Sequence, residues 1–468
     1  MTKVLVWNIQ QFGINKINNA NNKRPRGQGG LTNQQASQSR RNVILNVLNA
    51  TDPDIIVIIE VSSGDTYPLD VASFTGGMLG CVNFLNRLRF YPGEWRLVPP
   101  MRIGRGGKAE SVGVFYRGQS TVGGNQVNRY FTGPNLWTGG INGMSAEPPT
   151  LSGPYPGSVN GSPDLNAMIV YPGQNVRQIP AGAQHNATVN ENRVAARTFF
   201  SINENGVAGD PINYGTFREP YMATFVETDA NNNVIRNLSL FGVHSPAVVG
   251  DQSVFMTYLA NTFEIVAPNA ANEVRIVCGD FNLNLLDANG NLSDAYQPLT
   301  NNNYGLLLRP NGGPPANVDP YRGYFTTHIK TKPSRGNRTA ASKFLWSENN
   351  QNQSLYPAYE YVGSRYGGQN NPLYSLDNIL VRPYNAATDY RTTVLNTVVG
   401  TPFNVVANPP GNPPLGSQLM PSSFTTAANW PPAVAPNFTI GIANNLVSWA
   451  NYGHVYSTSD HFALYAVV

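Results

Sequence analysis

The sequence has few charged residues. Only 12% of its 468 residues are Asp, Glu, Lys or Arg, which is about half the usual share. The formal net charge is +4, which is compatible with a polyanionic partner but is shared by many enzymes with neutral substrates. The polarity comes instead from Asn, Gln, Ser and Thr. The abundance of Gly (45) and Pro (36) is typical of strands joined by long loops.

Cysteines and long apolar runs are also scarce. Cys81 and Cys278 are too few for a disulfide framework; Cys278 is expected to be a buried thiol, and whether the two pair stays open. No run of about 18 apolar residues is present, which argues against a transmembrane helix. Asn8 ends the first apolar run too early for a signal peptide. We therefore expect a protein that is cytoplasmic as synthesised, or one that is exported without a cleavable leader or after a leader has been removed.

The most informative stretch runs from Ile276 to Asn284. An apolar, β-branched run ends in Gly279, Asp280, Phe281 and Asn282, which predicts a buried strand with a sharp turn at its end. Asp280 and Asn282 are two residues apart and project to the same side in extended geometry. A carboxylate beside a carboxamide suits a water-activating base and a donor to phosphoryl oxygens. The alternative is an Asx-turn that closes the strand.

Other apolar runs also end in polar residues. Asn8, Glu60 and His244 each come at or just after the end of such a run, and each is of a type that binds metal or moves protons. Their convergence at one end of a sheet would form a site of carboxylates, amides and imidazoles. This donor set suits a hard, oxygen-liganded cation such as Mg²⁺, and it lacks the clustered His and Cys of a structural zinc site. Metal-assisted hydrolysis of a phosphate ester fits it best.

The pattern along the chain predicts one α/β scaffold with long loops. Helices are predicted at 32–49, 80–88 and from 251, and strands at 4–7, 55–59, 95–98, 111–116, 222–227, 234–243, 274–278, 376–381 and 462–468. We interpret residues 1–468 as a single domain with insertions at about 118–214, 285–371 and 386–439. The basic segment 13–30 is expected to be an exposed loop. His185 and His328 lie within insertions and are expected to have no catalytic role.

Six short motifs occur in an order that resembles the endonuclease/exonuclease/phosphatase superfamily. They are Trp7-Asn8, Ile59-Glu60, Val243-His244-Ser245, Gly279-Asp280-Phe281-Asn282, Leu376-Asp377-Asn378 and Ser459-Asp460-His461. The resemblance spans nearly the whole chain. It implies a four-layer α/β-sandwich, in which two packed mixed β-sheets are flanked by helices.

Within that superfamily, the chain is most similar to deoxyribonuclease I. The stretch Gly104 to Glu110 matches in spacing a loop that ends in a histidine-pairing glutamate, and Arg218-Glu219-Pro220 matches a second motif. Three positions depart from that pattern. Lys108 stands where a sugar-packing tyrosine is usual, Ser62 where a minor-groove arginine is usual, and Ile59 where glutamine is usual.

The resemblance implies a role for each matched residue. Glu60 and Asn8 would hold the metal, and Asp460 would support the metal or His461. Glu110 would orient His244, and Asp377 would orient His461. Asp280 would activate water, Asn282 would donate to phosphoryl oxygens, and three basic residues would contact the substrate: Arg218, Arg105 and Lys108. The metal would be Mg²⁺, with Mn²⁺ and Ca²⁺ as alternatives.

The sequence therefore predicts a Mg²⁺-dependent endonuclease that cleaves DNA, with RNA as an alternative substrate, and has little sequence preference. A phosphoinositide phosphatase or a sphingomyelinase-like phosphodiesterase is the second hypothesis, since one scaffold supports several substrates. A third is a binding module without activity, but no motif residue is lost. The low charge weakly favours a delivered toxin or effector. Such a protein would be a monomer with an inhibitor or immunity protein as its partner.

Overall fold

In the computed structural model, the chain forms two large mixed β-sheets that pack face to face, with helices on their outer sides. The residues described are 1–18, 33–62, 77, 79–88, 90–98, 102–104, 110–133, 158–159, 162–163, 169–170, 200–248, 250–285, 292–309, 327–328, 375–385, 391–396, 401–402 and 458–468. The helices are α1 (Ile14–Ile17), α2 (Asn33–Thr51), α3 (Leu79–Leu88), α4 (Asp251–Ala260), α5 (Phe263–Val266) and α6 (Gln297–Thr300), with a 3₁₀ turn at Asp294–Tyr296.

The strands occupy most of the rest. In chain order they are β1 (Lys3–Phe12), β2 (Ile55–Val61), β3 (Trp95–Val98), β4 (Arg102–Ile103), β5 (Glu110–Arg117), β6 (Gln119–Val122), β7 (Asn125–Gly133), β8 (Ser158–Val159), β9 (Ser162–Pro163), β10 (Ile169–Val170), β11 (Ser201–Glu204), β12 (Val207–Pro211), β13 (Tyr221–Thr228), β14 (Val234–His244), β15 (Glu273–Asp280), β16 (Gly305–Leu306), β17 (Asp377–Arg382), β18 (Arg391–Asn396), β19 (Thr401–Pro402) and β20 (Leu464–Val467).

The first sheet has nine strands in the order β10-β3-β5-β2-β1-β20-β18-β19, with β4 paired to β5. The second has seven strands in the order β16-β17-β15-β14-β13-β7-β6. Each sheet has one parallel pair at its centre, β1 with β2 and β14 with β15, and its other pairs are antiparallel. The four-layer α/β architecture expected from the sequence is confirmed.

The dense apolar runs form the central strands because both faces of each sheet are covered. Every run predicted as a strand is one, and β3 spans the predicted residues unchanged. The strand β1 continues past the predicted end at Trp7 to Phe12, so Asn8 lies within β1 rather than after it.

The two sheets approach closely where Gly242 of β14 faces β5. A Cβ at Gly242 would lie 2.9 Å from Cγ1 of Val112, so a larger residue there would push the sheets apart. Tyr116 of β5 packs on Phe225 of β13 with ring centroids 5.0 Å apart. This packing also places β1 beside β15 and brings the polar ends of the central strands together.

Aromatic residues attach the helices to the outer faces. Phe84 of α3 contacts Phe115 of β5, with ring centroids 5.0 Å apart in an edge-to-face arrangement. On the other side, Phe255 of α4 packs on Tyr214 at 6.0 Å, and Tyr214 in turn packs on Phe200. Among the residues described, no helix combines the length and apolar character needed to cross a membrane.

The insertion boundaries predicted from the sequence need correction. Residues 119–133, which lie in the first predicted insertion, form β6 and β7 of the second sheet. β16 and β18 likewise fall in the second and third predicted insertions. These strands are short or polar and lack a strong alternation of apolar and polar residues, so the sequence pattern does not predict them. The helix expected to begin at residue 32 starts, within the described chain, at Asn33. Cys81 and Cys278 are both free and buried.

Candidate active site

The carboxyl end of β15 is shaped by one glycine. Gly279 has φ +138°, and a Cβ there would lie 2.1 Å from the carbonyl oxygen of Val243 on the neighbouring strand. Only glycine fits this approach. The register places Asp280 directly opposite both His244 of β14 and Asp377 of β17. Three chemically active side chains therefore come from three adjacent strands at one edge of the second sheet.

The carboxylate of Asp280 is the centre of the site. Its Oδ2 lies 3.0 Å from Nδ2 of Asn8, 3.5 Å from Nε2 of His244 and 3.6 Å from Nε2 of His461. Its Oδ1 accepts a hydrogen bond of 2.8 Å from the backbone N–H of Asn282. Asp280 is almost fully buried, so these neighbours rather than solvent determine its environment.

Two buried imidazoles each hold a carboxylate at the nitrogen that faces away from Asp280. Nδ1 of His244 lies 2.5 Å from Oε1 of Glu110, and Nδ1 of His461 lies 2.7 Å from Oδ2 of Asp377. These contacts leave both Nε2 atoms directed at the centre of the site. All four side chains are buried, with His244 7% exposed and His461 4% exposed.

The carboxylates favour the protonated form of both imidazoles. Burial lowers the pKa of His244, but Glu110 and Asp280 together raise it by more, and the net pKa lies above the ordinary 6.5. Burial opposes protonation of His461 in the same way. There, Asp377 and Asp280 raise the pKa well above 6.5. Both rings are therefore suited to donate a proton from Nε2.

Asn8 and Glu60 meet where the β1–β2 pairing is irregular. The register shifts after Asn8, and Glu60 adopts a left-handed backbone with φ +61°. That turn aims the Glu60 carboxylate at the site, where Oε1 accepts a hydrogen bond of 3.2 Å from Nδ2 of Asn8 and lies 3.7 Å from Nε2 of His244. Strain of this kind persists where the surrounding structure holds it in place.

Asn282 follows Asp280 on the same turn, also in a left-handed conformation with φ +49°. Its Nδ2 donates a hydrogen bond of 3.0 Å to the carbonyl oxygen of Ser245. An amide nitrogen carries two hydrogens, so a second donor position is available on the same atom. Ser245 is fixed in turn, because its backbone N–H donates to the carbonyl oxygen of Asp280 at 2.9 Å.

Asp460 lies at the other side of His461, before β20. Its Oδ2 accepts a bond of 3.4 Å from Nε2 of Gln10, and its Oδ1 is 4.0 Å from Nε2 of His461. Burial raises the pKa of the Asp460 carboxyl, but the charges of His328, His461 and Lys16 lower it by more. Two of the predicted metal residues, Asn8 and Glu60, thus contact each other directly, while the third, Asp460, lies beside His461.

The residues predicted to contact substrate are only partly described. Nε of Arg218 lies 3.1 Å from Oε2 of Glu110, and the Arg218 side chain is 18% exposed. Arg218 therefore reaches the surface beside the His244 pair. Arg105 and Lys108 fall outside the described residues.

Two residues of the site were missed in the sequence. His328 was expected to have no role, but its ring packs edge-to-face on His461 with centroids 4.6 Å apart. Lys16 was expected in an exposed loop, but it lies in α1, is partly buried, and donates to the carbonyl oxygens of Gln10 and Thr458. Burial lowers the pKa of Lys16 to about 7, although Asp460 opposes this. No local pattern marks either residue.

Two mixed sheets with carboxylates, amides and imidazoles at a shared edge define a class of phosphoester hydrolases. The sequence model of the Endonuclease/Exonuclease/phosphatase family matches residues 5–461, and the chain belongs to this family. Members of the family hydrolyse phosphodiesters or phosphate monoesters and depend on a divalent metal.

The chain also matches solved structures with which it shares little sequence identity. They include D. rerio TDP2 in complex with single-strand DNA product (8% identity, covering 99% of this chain and 97% of that chain, TM-score 0.34). A second is an endonuclease/exonuclease/phosphatase family protein from Leptotrichia buccalis (11% identity, covering 100% of this chain and 99% of that chain, TM-score 0.37). A third is truncated Caenorhabditis elegans TDP2 (8% identity, covering 99% of this chain and 96% of that chain, TM-score 0.36). No curated protein sequence matches the chain.

The donor atoms at Asn8 and Glu60 fit a divalent cation. Oδ1 of Asn8 is buried, and among the described residues no group donates a hydrogen bond to it. An amide oxygen left without a donor in the interior is costly unless a cation or water binds it. Together with the Glu60 carboxylate it forms an all-oxygen donor pair of the kind that Mg²⁺ prefers.

Proposed function

We propose that the chain is a Mg²⁺-dependent endonuclease that hydrolyses phosphodiester bonds in DNA with little sequence preference. One observation carries the proposal. Two carboxylate-bound imidazoles direct their Nε2 atoms at the same oxygen, Oδ2 of Asp280, at 3.5 Å for His244 and 3.6 Å for His461. This arrangement supplies one base and two proton donors within reach of a single phosphoryl group.

Asp280 is proposed to activate water. The N–H of Asn282 occupies Oδ1 at 2.8 Å, which fixes the carboxylate and leaves Oδ2 as the atom that receives a proton. As the water oxygen attacks phosphorus, its proton passes to Oδ2. The ester bond on the opposite side of the phosphorus breaks, and one of the two imidazoliums donates a proton to the departing oxygen.

The second imidazolium and Asn282 are proposed to stabilise the negative charge on the non-bridging oxygens. The raised pKa values of His244 and His461 keep both rings protonated closer to neutral pH. Glu110 and Asp377 hold the rings in a fixed orientation, so little reorganisation is needed as charge develops. The second hydrogen of Nδ2 on Asn282 is placed to serve the same oxygens.

Asn8 and Glu60 would hold the cation, and Asp460 would support this side of the site. When bound, Mg²⁺ supplies Lewis-acid stabilisation of the phosphoryl oxygens. The contact of 3.0 Å from Nδ2 of Asn8 to Oδ2 of Asp280 couples this part of the site to the proposed base.

DNA as the substrate is supported by charge and by Arg218. The chain has a formal net charge of +4, and Arg218 reaches the surface while its Nε contacts Glu110 at 3.1 Å. An arginine in this position can bind a phosphate next to the one that reacts. Phosphate contacts orient a duplex without distinguishing bases, which is consistent with little sequence preference.

One observation favours a second substrate class. Ser62 stands at the position where deoxyribonuclease I has its minor-groove arginine, so one expected DNA contact is lacking. A phosphoinositide phosphatase or a sphingomyelinase-like phosphodiesterase would not need that arginine.

A supercoiled-plasmid nicking assay tests the proposal. The purified chain should convert the plasmid to nicked circles with Mg²⁺ and should stop when EDTA is added. His244→Ala should slow nicking by about 10²- to 10⁴-fold, the usual contribution of a general acid or base. Absence of metal-dependent nicking would overturn the DNA assignment. Release of phosphate from inositol lipids by the same sample would favour the second class.

A further inference from the structure

His328 is attached to the candidate active site through backbone and ring contacts. It forms an isolated antiparallel bridge with His461. Their rings pack edge-to-face, with centroids 4.6 Å apart and planes at 81°. Only 13% of the His328 side chain is exposed. The position of the ring is therefore set by the fold and not by a mobile surface rotamer.

Three side chains that can bind a metal face one another at this point. Nε2 of His328 lies 3.8 Å from Oδ2 of Asp460, and Nε2 of His461 lies 4.0 Å from Oδ1 of the same carboxylate. One ligand atom from each of the three residues lies within 4.8 Å of the other two. Both separations are longer than a hydrogen bond, for which N···O is about 2.7–3.2 Å.

The separations are close to those of a shared metal ion. Two ligand atoms that each bind one ion at about 2.1 Å are roughly 3.0–3.4 Å apart for octahedral or tetrahedral angles. The distances of 3.8 and 4.0 Å are longer than this range. The side chains would therefore have to rotate toward one another to bind one ion together.

The surroundings of His461 match those of a metal-bound imidazole. Nδ1 of His461 contacts Oδ2 of Asp377 at 2.7 Å, which directs the other nitrogen, Nε2, toward Asp460. A carboxylate at the far nitrogen of a ligating histidine is the usual outer partner in metal sites. The backbone is also fixed, because Nε1 of Trp7 donates to the carbonyl oxygen of His461 at 2.8 Å and Phe462 N–H donates to Thr327 at 2.6 Å.

We propose that His328, Asp460 and His461 bind a divalent transition-metal ion such as Zn²⁺, at a site distinct from the oxygen-lined pair Asn8 and Glu60. Two imidazole nitrogens with one carboxylate form a donor set that favours borderline ions over Mg²⁺, which prefers oxygen. The ion would take Nε2 of His461, the nitrogen that the proposed function uses as a proton donor, so a bound ion and proton donation by His461 exclude each other. The proposal concerns binding alone and does not depend on which phosphoester the site hydrolyses.

Titration of the metal-free protein with Co²⁺, a spectroscopic substitute for Zn²⁺, tests this site. Mg²⁺ is kept in large excess so that it fills oxygen-lined positions. The visible absorption of Co²⁺ should report one equivalent bound to the wild type. His328→Phe keeps an aromatic ring on His461 but removes the nitrogen, and it should weaken Co²⁺ binding by more than about 100-fold, since even outer partners contribute 10- to 100-fold.

Two control variants separate this site from other metal binding. Glu60→Gln should leave the Co²⁺ affinity unchanged, and so should His185→Phe, a histidine elsewhere in the chain. Equal Co²⁺ affinity in the wild type and His328→Phe would overturn the proposal, as would the absence of Co²⁺ binding by the wild type. If His328→Phe fails to fold, X-ray absorption of the Co²⁺-loaded wild type gives the number of imidazole ligands on the ion and tests the proposal. Two imidazole ligands support the site, and fewer than two contradict it.

Discussion

His461 and Asp377 form a buried contact of 2.7 Å between Nδ1 and Oδ2, across 84 positions of sequence. A second contact of the same kind joins His244 to Glu110 at 2.5 Å across 134 positions. The Nε2 atoms of the two imidazoles lie 3.5 and 3.6 Å from the same oxygen, Oδ2 of Asp280, and the two paired carboxylates fix the orientation of the rings. The predictions below follow from this arrangement and from the burial around it.

Asp377→Asn should lower the rate of hydrolysis by roughly 10²- to 10⁴-fold with little change in KM. The amide no longer stabilises a charged imidazole, and its NH₂ group can place the His461 proton on the wrong nitrogen. Steady-state kinetics on a defined DNA duplex measure the effect. The matched variant Asp294→Asn, at an exposed residue of the 3₁₀ turn, should keep the wild-type rate. Equal rates for both variants would contradict the role of Asp377.

Glu110→Gln should move the alkaline limb of the pH–rate profile to lower pH. Burial alone would lower the pKa of His244, and the Glu110 carboxylate is the main group that raises it. Without that carboxylate, the imidazole loses its proton at lower pH. The profile of kcat against pH measures the shift, and Glu94→Gln serves as a control because Glu94 pairs with Arg96 instead. An unchanged limb in Glu110→Gln would show that His244 does not act as the protonated group.

Glu60→Gln should raise the Mg²⁺ concentration needed for half-maximal activity by at least about tenfold. The variant keeps the shape of the side chain but replaces a charged oxygen donor with a neutral one. Nicking rates measured across a Mg²⁺ series, with ionic strength held constant, give the value. A rate reduced equally at all Mg²⁺ concentrations would mean that Glu60 acts on catalysis and not on metal affinity.

Glu227 should make a pH-dependent contribution to stability far from the active site. Burial raises its pKa, but Arg129 and Arg236 outweigh this and lower it from 4.5 to about 2. A depressed carboxyl pKa stabilises the fold above pH 4.5, and the stabilisation is lost as the pH falls toward 2. A shift of this size corresponds to roughly 3 kcal/mol.

The variant Glu227→Gln tests this contribution. It should lower the free energy of unfolding at neutral pH by about 3–5 kcal/mol, since it leaves the buried Arg129 and the partly buried Arg236 without their carboxylate. Denaturant unfolding at several pH values should show the difference from the wild type shrinking as the pH falls from about 5 to about 2. A difference that stays constant over that range would contradict the assigned pKa.

The sequence was sufficient to predict the central strands. Runs such as Ile55–Val61 are so densely apolar that only a strand covered on both faces can hold them. Strands such as β7 (Asn125–Gly133) could not be recognised, because polar residues break their alternation and only pairing with β13 and β6 stabilises them. The pairing partners lie far along the chain.

Only the residues of the site that belong to recognisable sequence motifs could be predicted. Asp280 and Asn282 could be derived from a strand end, but the pairing of Glu110 with His244 came from the resemblance, because no local pattern joins residues 134 positions apart. His328 and Lys16 could not be found, since their surroundings in sequence are typical of loops. Only the folded chain brings them to Asp460.

The central claim is that Asp280, whose Oδ2 lies near two imidazoles, serves as the base for hydrolysis of a DNA phosphodiester. The most direct measurement compares the wild type with Asp280→Asn in single-turnover cleavage of a labelled duplex at saturating Mg²⁺. We predict cleavage by the wild type that EDTA abolishes, and a rate at least about 10²-fold lower in Asp280→Asn. Cleavage by Asp280→Asn at the wild-type rate, or no Mg²⁺-dependent cleavage by the wild type, would contradict the claim.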